Sequence, residues 1–249
     1  MDITIPELAV RQLRDYLRHT PGTYFAEEHP PLQLEEAYGV QAEVARLRSL
    51  AGESIAGYKI GCIGPKIREQ FGLSGPIRGF LFKSELHASG STVSSSMHSS
   101  LAVEGEMAMR MGEEGQVAYA FPMIELHNYV LRARIKLLSE LVANNALNAG
   151  VILPKGEAIM AHPACAKTGT LEVRINDRLA DAGALWSMPG GLEEAVAWLT
   201  NHLRDYGISL QGGDIILTGT ALGLHHVKPG DYIQVFCEGF GGIEANVVD

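Results

Sequence analysis

The stretch Leu101–Met111 alternates between two kinds of side chain with a period of two, and this pattern constrains the fold more than any other. Apolar or small residues occupy the odd positions, whereas Glu104 and Glu106 occupy even positions. A period of two is typical of a β-strand, because successive side chains leave opposite faces. The turn-like sequence GEEG follows, and a second apolar stretch occupies 117–125, interrupted by Pro122. Together these segments predict a β-hairpin, with an edge or a bulge at the proline.

The first 52 residues differ from the rest because their apolar residues recur at intervals of three and four. That spacing predicts two amphipathic helices and therefore a helical N-terminal cap, residues 1–52. In residues 53–249, turn signals separate short apolar runs, which predicts a second, β-rich domain. The fold class that fits is α+β, with a mixed, strongly bent sheet and an N-terminal helical subdomain.

Further elements are expected within the β-rich domain. The serine-rich segment 87–100 predicts a loop. Helices are predicted at 65–71, at 130–147, which is expected to end at Gly150, and at 192–203. The predicted strands are 54–61, 79–83, 101–111, 117–125, 151–153, 158–162, 170–175, 214–218, 232–237 and 243–247.

Composition excludes several classes of protein. The chain of 249 residues has 20 Lys and Arg against 29 Asp and Glu, a formal net charge of −9, whereas a nucleic-acid binder usually has a basic surplus. The three cysteines are far apart in the sequence, which argues against a disulfide framework or a structural zinc site. The charged N-terminus lacks a signal peptide, and no apolar run approaches the roughly 20 residues of a membrane span. We therefore expect a cytoplasmic protein that binds neither nucleic acid nor membranes.

Three glutamates are the candidate metal ligands. Glu104 and Glu106 leave the same face of one predicted strand, and Glu125 ends the next. Carboxylates that share an apolar site repel one another and lose hydration, and a divalent cation removes both costs. Oxygen ligands with open positions suit Mg²⁺ or Mn²⁺. The alternative is a solvated strand face on which the glutamates pair with nearby arginines, namely Arg110, Arg132 and Arg134.

Other candidates remain ambiguous from the sequence alone. Lys59 lies within a predicted strand, where a lysine either reaches the edge or is buried with a lowered pKa. His127 lies two residues beyond Glu125, and it is either a structural histidine or a ligand or acid. Lys136 belongs to a basic group that is expected to cover the solvated side of the predicted helix 130–147.

Several segments in their order along the chain resemble the hydratase/decarboxylase branch of the fumarylacetoacetate hydrolase superfamily. The sequence has no P-loop, GxSxG or HExxH motif and no Rossmann glycine pattern that would indicate another large enzyme class. The resembling segments are GYKIG (57–61), GFLF (79–82), VEGEMAM (103–109), IEL (124–126), NNALNAGVIL (144–153), LEEAVAWLTNHL (192–203), GDIILTGT (213–220) and KPGDYIQVFCEGFGGIEANV (228–247).

The resemblance implies a mixed β-roll with an N-terminal helical region. It implies that Glu104, Glu106 and Glu125 bind the metal ion and that Lys59 is the catalytic lysine, with its pKa lowered by burial and by the cation. It also implies that four residues line the substrate pocket, namely Asn145, Gly150, Thr218 and Gly219. Homo-oligomers are expected, including assemblies with a sister decarboxylase or hydratase.

The function implied is metal-dependent hydration of a 2-hydroxy-dienoate or 2-oxo-enoate in the catabolism of aromatic compounds. Two departures from the family pattern leave other reactions open: Ile77 follows Pro76 where an acidic residue is usual, and the connection between Glu106 and Glu125 is short. The alternatives are decarboxylation or tautomerisation of a 2-oxo acid, and a catalytically silent subunit that binds a 2-oxo acid. A fourth reading, hydrolysis of a carbon–carbon bond in an acylpyruvate, requires a water-activating His/Glu pair that the sequence does not place.

Overall fold

The computed structural model describes residues 3–156 and 168–249. Its α-helices are α1 (Ile5–Leu17), α2 (Leu34–Leu50), α3 (Pro65–Phe71), α4 (Leu138–Ala143) and α5 (Gly191–Asp205). Its strands are β1 (Ile55–Gly61), β2 (Ile77–Phe82), β3 (Leu86–Ala88), β4 (Ser91–Ser94), β5 (Leu101–Met111), β6 (Val117–Asn128), β7 (Asn148–Leu153), β8 (Thr170–Ile175), β9 (Arg178–Ala184), β10 (Ile215–Leu217), β11 (His225–His226), β12 (Tyr232–Cys237) and β13 (Gly241–Val248).

The strands form two sheets, and the larger one positions the candidate ligands. Its order is β2-β1-β10-β5-β6-β7-β3, with β11 also pairing with β5. The smaller sheet has the order β4-β13-β12-β8-β9. Each sheet contains both parallel and antiparallel pairs, so the predicted mixed α+β fold is confirmed.

The two sheets pack closely where β5 crosses the smaller one. A Cβ atom added to Gly105 would lie 2.5 Å from Cγ2 of Val173 and 2.8 Å from Cγ2 of Val235, so only glycine fits there. The apolar side chains of β5 and β6 that face this contact, such as Met107 and Ile124, are fully buried. Because the apolar face of the hairpin covers the core, the glutamates at even positions leave β5 on the opposite face.

The two predicted N-terminal helices are confirmed as α1 and α2. Thr4 begins α1 with a capping box in which its backbone N–H donates to Glu7, and α2 begins with a similar exchange between Gln33 and Glu36. One apolar cluster joins the two helices to Ile77 of β2 and to α4. The helices therefore pack directly on the β-rich part, and the division of the chain at residue 52 stays a prediction.

The predicted helix over 130–147 is wrong for most of its length, because α4 covers only Leu138–Ala143. The Glu140 carboxylate accepts hydrogen bonds from the backbone N–H groups of Arg132 and Ala133, which satisfies these groups without a helical turn. Ile135, predicted to face inward, is 68% exposed. Gly150 does not end a helix either: it lies within β7 at φ +130°, where a Cβ atom would lie 2.9 Å from the Glu85 carbonyl oxygen.

The serine-rich segment 87–100 is only partly a loop. Ser91–Ser94 form β4, which pairs in parallel with β13 at the edge of the smaller sheet. Val93 is its one buried residue, so small polar side chains are tolerated at the remaining positions. The strand β9 was not predicted, although Asn176 and Asp177 between β8 and β9 have positive φ and form the predicted turn. The predicted strand 158–162 lies outside the described residues.

None of the helices among residues 3–156 and 168–249 has the length and apolar character that crossing a bilayer requires.

Candidate active site

The β5–β6 hairpin places the predicted ligands on one face of the larger sheet. Glu104 lies directly opposite Glu125 in the antiparallel register, and Ala102 lies opposite His127. Because side chains alternate along a strand, Glu106 and His127 leave the same face as Glu104 and Glu125. Four ionisable side chains are therefore concentrated at the centre of this face.

Lys59 reaches the same face from β1, two strands away from β5. It is aligned with Leu217 of β10, which in turn is aligned with Ala108 of β5. A close approach of β1 to β10 makes this possible, because a Cβ atom on Gly57 would lie 1.9 Å from the Ile215 carbonyl oxygen. Gly79 lies opposite Lys59 on β2, and a Cβ atom there would lie 2.8 Å from Cγ of the lysine.

Lys59 and Glu125 form a buried ion pair at the floor of the site. The lysine Nζ lies 2.7 Å from Glu125 Oε1, and both side chains are at least 96% buried. Lys59 also donates to the Ala146 carbonyl oxygen at 3.2 Å. Asn148 Nδ2 donates to the same Glu125 oxygen at 2.8 Å. Side chains from β1 and β7 thus hold one carboxylate oxygen of β6 in place.

His127 bridges the two facing glutamates. Its Nε2 lies 3.2 Å from Glu104 Oε2 and 3.3 Å from Glu125 Oε2. Despite these distances, neither ring nitrogen forms a hydrogen bond of good geometry within the described part of the chain. Ligand atoms of Glu104, Glu125 and His127 all lie within 4.8 Å of one another. Such a set of two oxygens and one nitrogen is able to hold a divalent cation.

Glu106 is the carboxylate that the protein's own groups leave unsatisfied. It is buried, and neither of its oxygens has a hydrogen-bond partner among the described residues. Burial, followed by the negative charge of Glu125, raises the pKa of Glu106 well above its usual value. A buried carboxyl group without partners beside two further carboxylates fits a bound cation, because the cation would satisfy its oxygens and compensate the repulsion.

The other pKa shifts follow from the same crowding of charges. Burial opposes the charged form of Glu125, but His127 and Lys59 outweigh it and lower the pKa of Glu125. Burial likewise opposes the charge of His127, but Glu125 outweighs it and raises the pKa of His127 to about 9. Burial lowers the pKa of Lys59, but the negative charges of Glu125 and Glu104 outweigh burial, so the pKa is raised overall. The lowered pKa predicted for Lys59 is therefore wrong for the protein's own groups, because the neighbouring carboxylates outweigh the effect of burial.

A cavity of about 330 Å³ opens above this group. Its lining includes Lys59, Glu104 and His127, and also Gly219 and Ile77. Ile77 is buried and occupies the position where the resemblance leads one to expect an acidic residue.

The remaining predicted pocket residues lie behind or beside the cavity. Thr218 is buried, and its Oγ1 donates to the Met107 carbonyl oxygen at 2.9 Å. Asn145 lines a different cavity, between α1, α2 and the larger sheet, and its amide exchanges two hydrogen bonds with the Phe80 backbone. Gly150 contacts the Glu85 backbone and does not line the cavity above Lys59. Asn145 precedes Ala146, so its bonds hold the carbonyl group that Lys59 contacts.

Two contributors to the site were not assigned from the sequence. His127 was left as either structural or functional, and its separation of two residues from Glu125 was the signal that it shares that face. Asn148 was not singled out, since its approach to Glu125 depends on a register shift between β6 and β7 at Leu126 and His127. No local sequence pattern reveals that shift.

The family model described as fumarylacetoacetate (FAA) hydrolase C-terminal matches residues 74–248. The chain is 26% identical over 229 residues to 2-hydroxyhexa-2,4-dienoate hydratase of Comamonas testosteroni, with 86% of each chain covered. It is also 26% identical over 234 residues to 4-oxalocrotonate decarboxylase of Pseudomonas putida, covering 89% of this chain and 88% of that protein.

A solved structure of 4-oxalocrotonate decarboxylase from Pseudomonas putida G7, complexed with magnesium and adipate, has a similar fold. It is 25% identical and superposes with a TM-score of 0.88, covering 98% of this chain and 97% of that chain. The family match, these relatives and the shared fold agree with the resemblance seen in the sequence. The chain therefore belongs to the fumarylacetoacetate hydrolase family.

Proposed function

We propose that this protein is a divalent-metal-dependent hydratase that adds water to a 2-hydroxy-dienoate or 2-oxo-enoate. The observation that carries the proposal is Glu106, a buried carboxyl group beside the Lys59–Glu125 ion pair that has no hydrogen-bond partner in residues 3–156 and 168–249. The hydratase and decarboxylase names of the relatives support the same chemistry. That the solved relative is complexed with magnesium supports the choice of a divalent metal.

The proposed cofactor is Mg²⁺ or Mn²⁺, held by Glu104, Glu106 and Glu125. His127 is a further candidate ligand, because its Nε2 already lies within 3.3 Å of two of these carboxylates. Bound there, the cation supplies Lewis-acid stabilisation of the negative charge that develops on the C2 oxygen of a 2-oxo acid.

Lys59 is proposed to give and take the proton that the reaction exchanges with the carbon chain of the substrate. An ammonium group has three donors, and Glu125 and the Ala146 carbonyl oxygen account for two of them. The lysine also lines the cavity, so one N–H remains for the substrate. Proton transfer by a positioned side chain typically contributes a factor of about 10² to 10⁴ in rate.

The walls of the cavity are proposed to orient the substrate. Gly219 lines one side, at φ +79° and against the Ile60 carbonyl oxygen, with Thr218 fixed behind it. Asn145 and Gly150 are proposed to act through the backbone that they hold in position. In these roles the four residues would hold the cavity wall in position around the buried Lys59 and Glu125.

Decarboxylation of a 2-oxo acid is the second candidate, and Ile77 favours it. This apolar side chain lines the cavity, near the Lys59 ammonium group, where a hydratase needs a group that activates water. Loss of carbon dioxide needs the same stabilisation of an enolate but no attacking water. Tautomerisation, which needs only proton exchange, remains a variant of this candidate.

Product analysis separates the candidates. The purified protein with Mg²⁺ is incubated with 2-hydroxypenta-2,4-dienoate and with 4-oxalocrotonate in D₂O, and the products are identified by NMR. A 4-hydroxy-2-oxo acid is expected for the hydratase, carbon dioxide release for the decarboxylase, and deuterium incorporation alone for the tautomerase. Binding without any of the three would overturn the enzymatic proposal and identify a silent subunit.

The proposed assembly is a homo-oligomer, or a complex with a sister decarboxylase or hydratase. Light scattering after size-exclusion chromatography gives the molar mass directly, and a value near the 26.9 kDa of one chain would contradict the proposal.

A further inference from the structure

Two lysines from different parts of the chain line the cavity at its exposed side. Lys66 belongs to α3, and Lys136 lies in the segment between β6 and α4. Both side chains are exposed, whereas Lys59 and Glu125 at the floor are buried. The cavity therefore has a buried end, which carries the reacting groups, and an open end, which carries two ammonium groups.

Neither of these lysines forms an ion pair with any residue of 3–156 or 168–249. The chain as a whole has 29 acidic residues against 20 Lys and Arg, so an unpaired pair of lysines at one cavity runs against the average charge of its surface. Lys136, which was expected on the solvated side of a predicted helix, instead lies in a non-helical segment that lines the cavity.

The wall between the two ends is mostly apolar. Ile63, Ile67 and Leu141 line it, together with Leu222 and Leu224. Such a wall suits a short hydrocarbon chain, and a carboxylate at the far end of that chain would reach the lysines. A monocarboxylic acid would instead present an apolar end to two ammonium groups.

We infer that the substrate is a 2-oxo acid with a second carboxylate at the far end of its chain, recognised by Lys66 and Lys136. The inference rests on the proposed function for the orientation of the substrate, with its 2-oxo-carboxylate end at the glutamates. It goes beyond that function by selecting dicarboxylic over monocarboxylic substrates. Exposed ion pairs are screened by salt, so the selection weakens as ionic strength rises.

The test uses two unreactive acids of equal chain length that differ only at the far end, 2-oxoadipate and 2-oxohexanoate. Their dissociation constants are measured by titration calorimetry in Mg²⁺, for the wild type and for the double variant Lys66→Gln/Lys136→Gln. We expect the wild type to bind 2-oxoadipate about five- to tenfold more tightly. The double variant is expected to lose this preference while its affinity for 2-oxohexanoate changes less than about twofold.

Lys228→Gln is the matched control, because this exposed lysine lies outside the cavity and its loss should leave both dissociation constants unchanged. Equal affinity of the wild type for the two acids would overturn the inference, as would a preference that survives in the double variant, or absence of binding by either acid. Because the readout is binding, a protein that selects the dicarboxylate but turns over no substrate supports this inference and contradicts only the proposed reaction.

Discussion

Two buried groups of charged side chains pack against the larger sheet, and they differ in how completely their charges are paired. The Arg48 cluster consists of Arg48, Glu53, Glu85 and Tyr16. The Glu125 cluster consists of Lys59, Glu104, Glu106, Glu125 and His127.

In the Arg48 cluster one guanidinium group meets two carboxylates. Its Nε and Nη2 donate to the two oxygens of Glu53 at 2.7 and 2.9 Å, and Nη2 lies 2.8 Å from Glu85 Oε1. The Tyr16 hydroxyl donates to Glu85, and the Phe82 ring covers the guanidinium at 3.5 Å. None of the guanidinium nitrogens is buried without a partner within the described residues. This cluster ties α1 and α2 to the sheet.

In the Glu125 cluster three carboxylates meet one lysine and one histidine. Glu106 and both ring nitrogens of His127 are buried without a hydrogen-bond partner in the described chain. Desolvating a charge costs several kcal/mol unless it is paired. The comparison shows that similar residue types stabilise the fold where each carboxylate contacts a cation, as Glu53 and Glu85 contact Arg48, and suit ligand binding where a buried carboxylate, Glu106, has no hydrogen-bond partner among the described residues.

Arg78 marks the limit of this rule. Its guanidinium nitrogens are also buried without hydrogen-bond partners in the described chain, yet Arg78 lines neither of the two cavities described above. Aromatic rings surround this cation, with Phe80 at 4.4 Å and Tyr38 and Tyr206 each at 5.4 Å. The faces of aromatic rings stabilise a cation. Glu106 has no comparable compensation, so the lack of partners indicates a ligand only for the carboxylate.

The largest expected effect is on catalysis. Lys59→Met keeps the length of the side chain but removes the proton donor, so turnover of the substrate identified by NMR should fall by a factor of about 10² to 10⁴. Steady-state kinetics measure the loss, with Lys83→Gln as a control lysine that is exposed and outside the cavity. Full turnover by Lys59→Met would remove the lysine from the mechanism.

The next effect is on stability and concerns the Arg48 cluster. Arg48→Met leaves Glu85 buried with its charge unpaired, and breaking a buried pair typically lowers the free energy of unfolding by about 3–5 kcal/mol. Urea unfolding followed by circular dichroism measures it. The folded fraction should retain its affinity for Mg²⁺, because none of the proposed metal-binding residues belongs to the Arg48 cluster. A loss of metal affinity would show that the two clusters are not independent.

In the metal-free protein, Glu106→Gln should change the free energy of unfolding in the opposite direction and stabilise the folded state. The pKa of Glu106 is raised on folding, so the folded state holds its proton more tightly than the unfolded state does. Wild-type stability is then lost as pH rises above about 4.5, the ordinary pKa of this group. Without metal, the amide should raise the free energy of unfolding at pH 7 by about 1–2 kcal/mol.

In saturating Mg²⁺ the wild type should be more stable than Glu106→Gln, which reverses the order expected without metal. The wild type gains stability by binding the ion, whereas Glu106→Gln gains less because it lacks one charged ligand. Thermal unfolding of both proteins, with and without Mg²⁺, provides the comparison. Glu85→Gln is the matched control from the Arg48 cluster and should change the free energy of unfolding by the same amount in both conditions.

The smallest expected effect concerns His202, which lies beside Arg78. Burial, followed by the charge of Arg78, lowers the pKa of His202 to about 4. Between pH 6.5 and 4 the unfolded state therefore binds a proton that the folded state does not, and stability falls as pH decreases through this range. His202→Phe keeps the stacking on Trp198, whose ring lies 4.9 Å away, and should remove about 1 kcal/mol of this pH dependence. Equal pH slopes for the two proteins would contradict the assignment.

The local parts of the fold and of the site were predictable from the sequence. The period of two in β5 and the short turn fixed the hairpin, and with it the meeting of Glu104 and Glu125. The position of Lys59 was not predictable from local patterns, because it depends on pairing between β1, β10 and β5, which are distant in sequence. Only the resemblance to the family placed the lysine at the site.

The errors also have physical causes. Apolar spacing predicted a helix over 130–147, but the Glu140 carboxylate satisfies the backbone of Arg132 and Ala133 in another conformation. A tertiary hydrogen bond of this kind leaves no periodic signal. Lys136, which lines the cavity, lies in this non-helical segment.

The most direct test of the account is the position of the metal ion. Crystals grown with Mn²⁺ give an anomalous difference map that locates manganese independently of the refined side chains. The account predicts a single strong peak per chain in contact with the carboxylates of Glu104, Glu106 and Glu125. A map without a peak between these side chains, or with manganese bound only elsewhere, would contradict it.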